Sequence, residues 1–295
     1  MSAALIVNPG ASRVTPELTV AVERELSAAG PVETVLTEHP MHAAELAEQL
    51  CGRCERIYVY AGDGGYNEAV NGLSRDTVVG FIPGGSTSVL PRALRLPRDP
   101  IVCARLLARA AKPRRISLGR VNGRRFTFGA GLGIDAELVR RIDALGRERG
   151  RRASDIAFAR TLAGLFVERR GRFEPAMEVL GVGRVALALV ANCDPYTFVG
   201  RVPLHVAPWA RFELGLDLVA PRRLRARLLP EVGWWVFAGR GQERSPHVLY
   251  VHDTDDVRIV CDRATPLQAD GEDLGDVSEA HFAAERGALQ VLTAG

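Results

Sequence analysis

The chain has 295 residues, a formal net charge of +3, 47% hydrophobic residues and 25% charged residues. That balance excludes a wholly disordered or collagen-like chain, and the length can bury a core without disulfide or metal staples. No apolar run approaches the ~18 residues of a membrane span, and so small a positive charge does not point to nucleic acid. Met1 to Pro9 lack the basic and long apolar regions of a signal peptide. Five scattered cysteines, an odd number, fit a reducing compartment, so the chain is expected in the cytoplasm. Cys51 and Cys54 have C-x-x-C spacing, but no second pair or nearby histidine completes a zinc site, and an incidental role is expected. Lys112 is the only lysine among 38 basic residues, so a cationic phosphate contact must be arginine or a backbone amide.

In chain order, residues 4–7, Val32–Leu36, 57–60 and 78–82 read as short strands. Helical patterns lie between them, through Leu18, Val22 and Leu26, over 41–50 and over 66–73, and two more helices precede Arg114. This alternation predicts a parallel α/β domain over residues 1–117. After that the texture changes. Residues 126–128, 176–180, 185–190, 214–219, 247–252, 257–261 and 289–292 read as strands with few helices between, which predicts an all-β, sandwich-like domain over 118–295. Two helical stretches interrupt it, 136–170 and 223–237.

The densest chemical signal is Tyr60-Ala61-Gly62-Asp63-Gly64-Gly65-Tyr66-Asn67-Glu68, after a strand and opening a helix. Three glycines in four positions let amides approach an anion at a helix N-terminus. It is neither a Walker A loop nor the dinucleotide G-x-G-x-x-G. Pro83-Gly84-Gly85-Ser86 follows the next strand, and Asn8-Pro9-Gly10-Ala11-Ser12 the first, so three loops could wall one crevice. Near the end, Asp270-Gly271-Glu272 sets two carboxylates two residues apart; in a strand they would share a face, and the plain alternative is an Asp-Gly hairpin turn.

These motifs, with Thr37-Glu38-His39-Pro40-Met41-His42-Ala43 and Gly129-Ala130-Gly131-Leu132-Gly133-Ile134-Asp135-Ala136, occur in the order in which the chain resembles the diacylglycerol kinase catalytic-domain superfamily, the bacterial lipid kinases similar to sphingosine kinases. The resemblance implies an ATP-dependent, Mg²⁺-requiring kinase acting on a hydroxyl of diacylglycerol or a similar lipid. By it, Asn8, Ser12, Thr37, Ala61, Gly62, Asp63, Gly64, Gly65, Asn67, Glu68, Gly84, Gly85 and Ser86 hold ATP. Asp63 organises Mg²⁺ and phosphates, and Asp270 or Glu272 takes the hydroxyl proton. An NAD-kinase-like small-molecule kinase, or a nucleotide- or lipid-binding regulator with weakened catalysis, are the alternatives.

The family loop reads Gly-Gly-Asp-Gly-Thr; here Ala61 replaces the first glycine and Gly65 the threonine. Where the family has Asn-Asp, the chain has Ser88-Val89. The family's second-domain magnesium stretch reads Phe212-Glu213-Leu214, leaving Glu213 as the one substitute ligand. Asp63, as an exposed loop carboxylate, is expected to matter for turnover more than for folding. The arginines at 140, 141, 147, 149, 151 and 152, running into apolar 156–166, suit peripheral docking on an anionic membrane at its inner face; a solvated helix face is the plain alternative. Trp234-Trp235-Val236-Phe237 reads as an interfacial patch or as core. His42, His205, His247, His252 and His281 show no metal-ligand spacing. A homodimer is left open, and no nucleic-acid partner is expected.

Overall fold

A computed structural model of the chain describes residues 3–109, 112–149 and 155–293. They form two compact units, Met1–Leu118 with Glu285–Gly295, and Gly119–Ala284.

In the first unit, β1 (Ala3–Val7), α1 (Pro16–Ser27), β2 (Val32–Leu36), α2 (His42–Leu50), β3 (Arg56–Ala61), α3 (Asp63–Gly72), β4 (Val78–Pro83), α4 (Val89–Ala93) and α5 (Pro100–Arg109) alternate as the periodicity predicts. The strands are parallel in the order β4-β3-β1-β2. β1, β3 and β4 are buried along almost their whole length, which is why they read as continuous apolar runs. β2 lies at the edge, and none of its residues is fully buried.

The second unit is β-rich and antiparallel. β5 (Arg114–Val121), which begins in the first unit, pairs with β6 (Arg124–Phe126); β7 (Gly129–Leu132), α6 (Ile134–Arg149) and α7 (Asp155–Glu168) follow. Next come β8 (Arg172–Phe173), β9 (Met177–Val179), β10 (Gly183–Val185), β11 (Ala188–Ala191), β12 (Thr197–Val199), β13 (Val202–Leu204), β14 (Leu216–Pro221) and β15 (Leu224–Arg225). α8 (Leu229–Ala238), β16 (Val248–Thr254), β17 (Asp256–Ala269) and β18 (Glu272–Val291) complete the chain. The main sheet runs β16-β14-β11-β7-β17, and β17 also pairs with β18 and β9. Along β17 buried and exposed residues alternate, as expected of an antiparallel strand wetted on one face. Phe126 and Phe282 meet edge to face in its core, with ring centroids 6.5 Å apart.

Three readings change. The stretch 136–170 contains two helices. The helix in 223–237 starts only at Leu229, where Pro230 occupies the first turn and residues 224–225 are strand. The end of the C-terminal strand leaves the second unit. Gln290 and Val291 pair in parallel with Val78 and Val79, satisfying the outer edge of β4. A linear domain boundary cannot express a chain that returns.

Candidate active site

Between β1 and β3 the winding of the first unit's sheet reverses, since β1 pairs with β2 on one side and β3 on the other. Open α/β sheets bind ligands outside the carboxyl ends of their strands at such a point. The expected nucleotide residues gather at those ends. Asn8 follows β1, Thr37 follows β2, Gly62 follows β3 and Gly84 follows β4. Backbone hydrogen bonds stitch the loops together: Asn8 N to Tyr60 O at 3.0 Å, Thr37 N to Val7 O at 2.9 Å and Gly84 N to Ala61 O at 2.8 Å. Asn8 Oδ1 accepts from Gly10 N at 2.9 Å, and Ser12 and Ser86 are exposed on the rim.

The two glycine turns meet backbone to backbone. A Cβ on Gly85 would come 2.9 Å from Gly62 Cα, and one on Gly84 would come 2.7 Å from Val14 Cγ2, so neither position accepts a side chain without movement. The N-cap of α3 is Gly62, and no side chain caps the first amides of the helix. That leaves them suited to an anion, with the helix dipole adding to the attraction.

Asp63 is not an exposed loop residue. It is 6% exposed, and its Oδ1 accepts from Val89 N at 2.6 Å, at the first residue of α4. Its carboxylate therefore ties two elements together, and the expectation that it matters little for folding is corrected. Asn67, on α3, is fully buried, while Glu68 is half-buried. Arg92, on α4, has its pKa pulled down by burial and by the charge of Arg98, while the charge of Asp63 acts the other way. Two arginines held near each other form a pair that an anion would relieve. The sequence reading passed over both; the near-absence of lysine was the signal that could have found them.

The departures from the family pattern have steric explanations. A Cβ on Gly65 would lie 2.7 Å from the Cβ of Ala61, so the alanine occupies the space that a side chain at 65 would need. Ala61 and Gly65 are one exchange, not two losses. Ser88 Oγ accepts from Gly85 N and donates to Gly85 O, both at 3.1 Å, and so holds the Pro-Gly-Gly-Ser turn. Val89 is buried and serves Asp63 through its backbone N–H.

In the second unit, Asp270 and Gly271 are the two central residues of the β17–β18 hairpin, between the paired Ala269 and Glu272, and both have positive φ. That is the turn chemistry of an Asp-Gly hairpin. The two carboxylates therefore do not share a strand face, because Asp270 lies in the turn. Asp270 is 4% exposed and accepts four hydrogen bonds, from Thr127 N (2.6 Å), Thr127 Oγ1 (2.8 Å), Phe128 N (2.9 Å) and Gly129 N (3.2 Å). A carboxylate has about four acceptor sites, and these are taken. Glu272 is half-buried and paired with the Arg124 guanidinium.

A polar network that the sequence reading missed adjoins this turn. Gln268 Nε2 donates to Asp135 Oδ2 (2.6 Å), Tyr196 OH donates to the same oxygen (3.1 Å), and Gln268 Oε1 accepts from Gly271 N (2.9 Å). Burial pushes the Asp135 carboxyl up from its ordinary range, against the pull of these hydrogen bonds. Room for the network comes from β7: a Cβ on Gly129 would strike the Tyr196 ring at 2.3 Å and one on Gly131 the Asp135 carboxylate at 2.1 Å. The signal was the Gly129-Ala130-Gly131…Asp135 spacing, which had been read only as a family mark.

Glu213 is exposed on a turn, and among the described residues no group of three ligating side chains forms around it. The nearby Asp217 is fully buried, and its carboxylate accepts from Tyr250 OH (2.7 Å) and Asp253 N (3.0 Å) and pairs with His252 Nδ1 (2.8 Å). Protein donors thus fill this position, and the residues present do not fit a second-domain magnesium ion. His39, His42 and Glu45 do approach one another, with ligand atoms within 4.8 Å, although His39 was not among the histidines weighed from the sequence. However, His42 Nδ1 accepts from Glu38 N (3.0 Å), which puts the proton of the neutral ring on Nε2 and leaves that atom a donor.

The basic stretch after residue 139 is also changed. Arg140 is held by Asp273 and Asp276, and Arg141 by Glu137 and Glu168. Arg147, Arg149, Arg151 and Arg152 lie outside the described side chains. Cys51 and Cys54 are free thiols; Cys51 Sγ accepts from Ser74 N at 3.3 Å. No described helix is long and apolar enough to cross a membrane.

Residues 2–121 match the family model of the diacylglycerol kinase catalytic domain. A diacylglycerol kinase of Bacillus subtilis (strain 168) is 38% identical over 101 residues, which is 33% of this chain and 33% of that protein. A crystal structure of a diacylglycerol kinase from Bacillus anthracis str. Sterne superposes with a TM-score of 0.74 at 17% identity, covering 99% of this chain and 96% of that one. Another structure from the same organism reaches 0.78 at 20% identity, covering 99% and 95%. The sequence match thus spans about a third of its relative, while the shared fold spans both units.

Proposed function

We propose that this chain, whose residues 2–121 match the diacylglycerol kinase catalytic-domain family model, is an ATP-dependent lipid kinase that phosphorylates a hydroxyl of diacylglycerol or a related lipid. The observation that carries the reading is the Gly62–Gly85 contact beside the uncapped amides of α3, at the sheet's switch point. Bound there, Mg²⁺-ATP would supply the phosphoryl group, the metal neutralising its charge. The amides of Gly64 and Gly65 and the Arg92–Arg98 pair suit the phosphates. Asn8, Ser12, Thr37 and Ser86 suit the remaining polar edges of the nucleotide. Asp63, whose Oδ1 is held by Val89 N, would orient the metal. Catalysis in such a site is mostly positioning and charge stabilisation.

The acceptor hydroxyl must lose a proton. Glu272 is the better base of the two expected carboxylates, because the acceptor sites of Asp270 are occupied by Thr127, Phe128 and Gly129. Asp270 then acts as a positioning residue, fixing the turn from which Glu272 projects. Arg124 orients the Glu272 carboxylate and stabilises it until the proton arrives.

Labelled ATP and Mg²⁺ offered with a panel of lipids in detergent, and with NAD alongside, test the reading. Label transferred to a lipid hydroxyl supports it. Label on NAD alone, or on nothing while ATP still binds, overturns it in favour of a small-molecule kinase or a regulator.

A further inference from the structure

The sequence leaves Trp234-Trp235-Val236-Phe237 undecided between core and surface, and the structure divides it. Trp235 is 7% exposed and packs with Ala191, Tyr196, Ala207, Val219 and Val248. Trp234 is 60% exposed, Phe237 64% and Leu229 40%. At about 100° per residue these three lie with Pro230 on one arc of α8, opposite the buried Trp235, and Glu231 falls at its margin. The helix is firmly seated. Gly239 closes it in the left-handed conformation, its N–H bonding Trp235 O at 2.8 Å, and His205 N after β13 bonds Val236 O at 2.7 Å. The adjoining β12–β13 hairpin presents Val199 and Val202, both exposed. Large aromatic side chains held outward on a fixed helix require an occupant.

The charge around the face indicates which one. Residues 222–244 contain six arginines against two glutamates. Arg223 and Arg225 are engaged by Glu174. Arg227 is exposed, Arg244 is exposed while its Nε lies 3.6 Å from Glu243 Oε1, and the Arg240 guanidinium lies 6.0 Å from the centre of the Trp234 ring. An apolar strip carrying Trp and rimmed by arginine matches the interfacial zone of a bilayer with anionic headgroups. A second copy of the chain would set one basic rim against another across a two-fold axis, which is unfavourable.

We propose that α8 and the β12–β13 hairpin form the membrane-docking face of the protein, with Trp234 and Phe237 entering the headgroup–acyl boundary of an anionic bilayer and Arg227, Arg240 and Arg244 meeting its headgroups. The inference rests on the lipid-kinase reading for its purpose, since a lipid kinase must reach a substrate held in a bilayer. It is distinct from the arginine stretch after residue 139, of which Arg140 and Arg141 are ion-paired and Arg147, Arg149, Arg151 and Arg152 lie outside the described side chains.

Binding to phosphatidylcholine vesicles, with and without phosphatidylglycerol, tests it. The double variant Trp234→Ala, Phe237→Ala should bind mixed vesicles at least about tenfold more weakly. Arg227→Gln, Arg240→Gln and Arg244→Gln should each cost about fivefold on mixed vesicles at low salt and little on neutral ones. Trp234→Tyr should keep most of the binding, and unchanged thermal unfolding shows that the variants fold. Unaltered vesicle affinity in the aromatic and arginine variants overturns the inference. So does a dimer that the aromatic variants convert to monomer in sedimentation, which would make the face a contact between copies. Phosphorylation of a short-chain diacylglycerol in detergent separates the two readings. Equal rates for wild type and variants leave the loss specific to docking. No phosphorylation by any form, with vesicle binding still dependent on Trp234 and Phe237, overturns the kinase reading and leaves the docking face standing.

Discussion

Ala61 and Gly65 exchange one volume between them. A threonine at 65 in this chain meets the Ala61 Cβ, where the glycine's own Cβ would already lie 2.7 Å away. Gly65→Thr alone should cost about 1–3 kcal/mol through overpacking, and Ala61→Gly in the same chain should recover most of it. A denaturant double-mutant cycle reads the coupling, and additive costs would show that the two departures are independent. The carboxylates at the hairpin separate in the same residue-by-residue way. Asp270→Asn replaces one acceptor oxygen by an NH2 donor facing at least one backbone N–H, and should cost at least about 2 kcal/mol of stability. Glu272→Gln should leave the melting temperature unchanged and lower kcat about 10²–10⁴-fold if Glu272 is the base. A rate loss confined to Asp270→Asn reverses the assignment. Asp135 has a pH signature. Burial raises its folded pKa above the ordinary value of about 3.9, so its ionised form costs stability at neutral pH. That cost is relieved as pH falls through the folded pKa, and relief is complete below the unfolded one. Wild type should therefore gain stability relative to Asp135→Asn as the solution is acidified across that interval, measured by urea unfolding at each pH.

Elements behave as their caps and turns dictate. α5 starts at Pro100, and the Asp99 side chain accepts from Ile101 N at 2.9 Å and Val102 N at 3.0 Å. Asp99→Ala should therefore cost about 1 kcal/mol, read by thermal unfolding. A loss of that size with nucleotide affinity intact assigns Asp99 to the helix alone. Turn chemistry was equally legible at Asp270-Gly271, where the residues specify the hairpin regardless of what its carboxylates do. Less legible was α8. Its sequence is apolar nearly throughout, so no periodic contrast marks a wet and a dry side. Only the packing of Trp235 against Ala191 and Val219 shows which tryptophan is core.

At the scale of the molecule, the end of the C-terminal strand belongs to the unit where the chain began. Leu289 and Leu292 are fully buried, and Leu292 N bonds Val79 O at 2.8 Å. Leu289→Ala should cost about 2–5 kcal/mol and speed amide exchange along β4, more than 200 residues away in sequence. Exchange rising only within residues 119–284 would instead tie that leucine to the second unit. The sequence alone determined the parallel α/β order, the β-rich remainder and the glycine loops that mark the candidate site, because period, β-propensity and glycine spacing are local properties of a chain. Tertiary structure decided which of Asp270 and Glu272 has acceptor sites left and that Ala61 and Gly65 compensate each other. It also decided that the charges of Arg98 and Asp63 both act on Arg92, that Asp135 joins Tyr196 and Gln268, and that the end of the last strand returns to the first sheet. Each of these depends on residues brought together from distant or different elements, and proximity of that kind leaves no period to read.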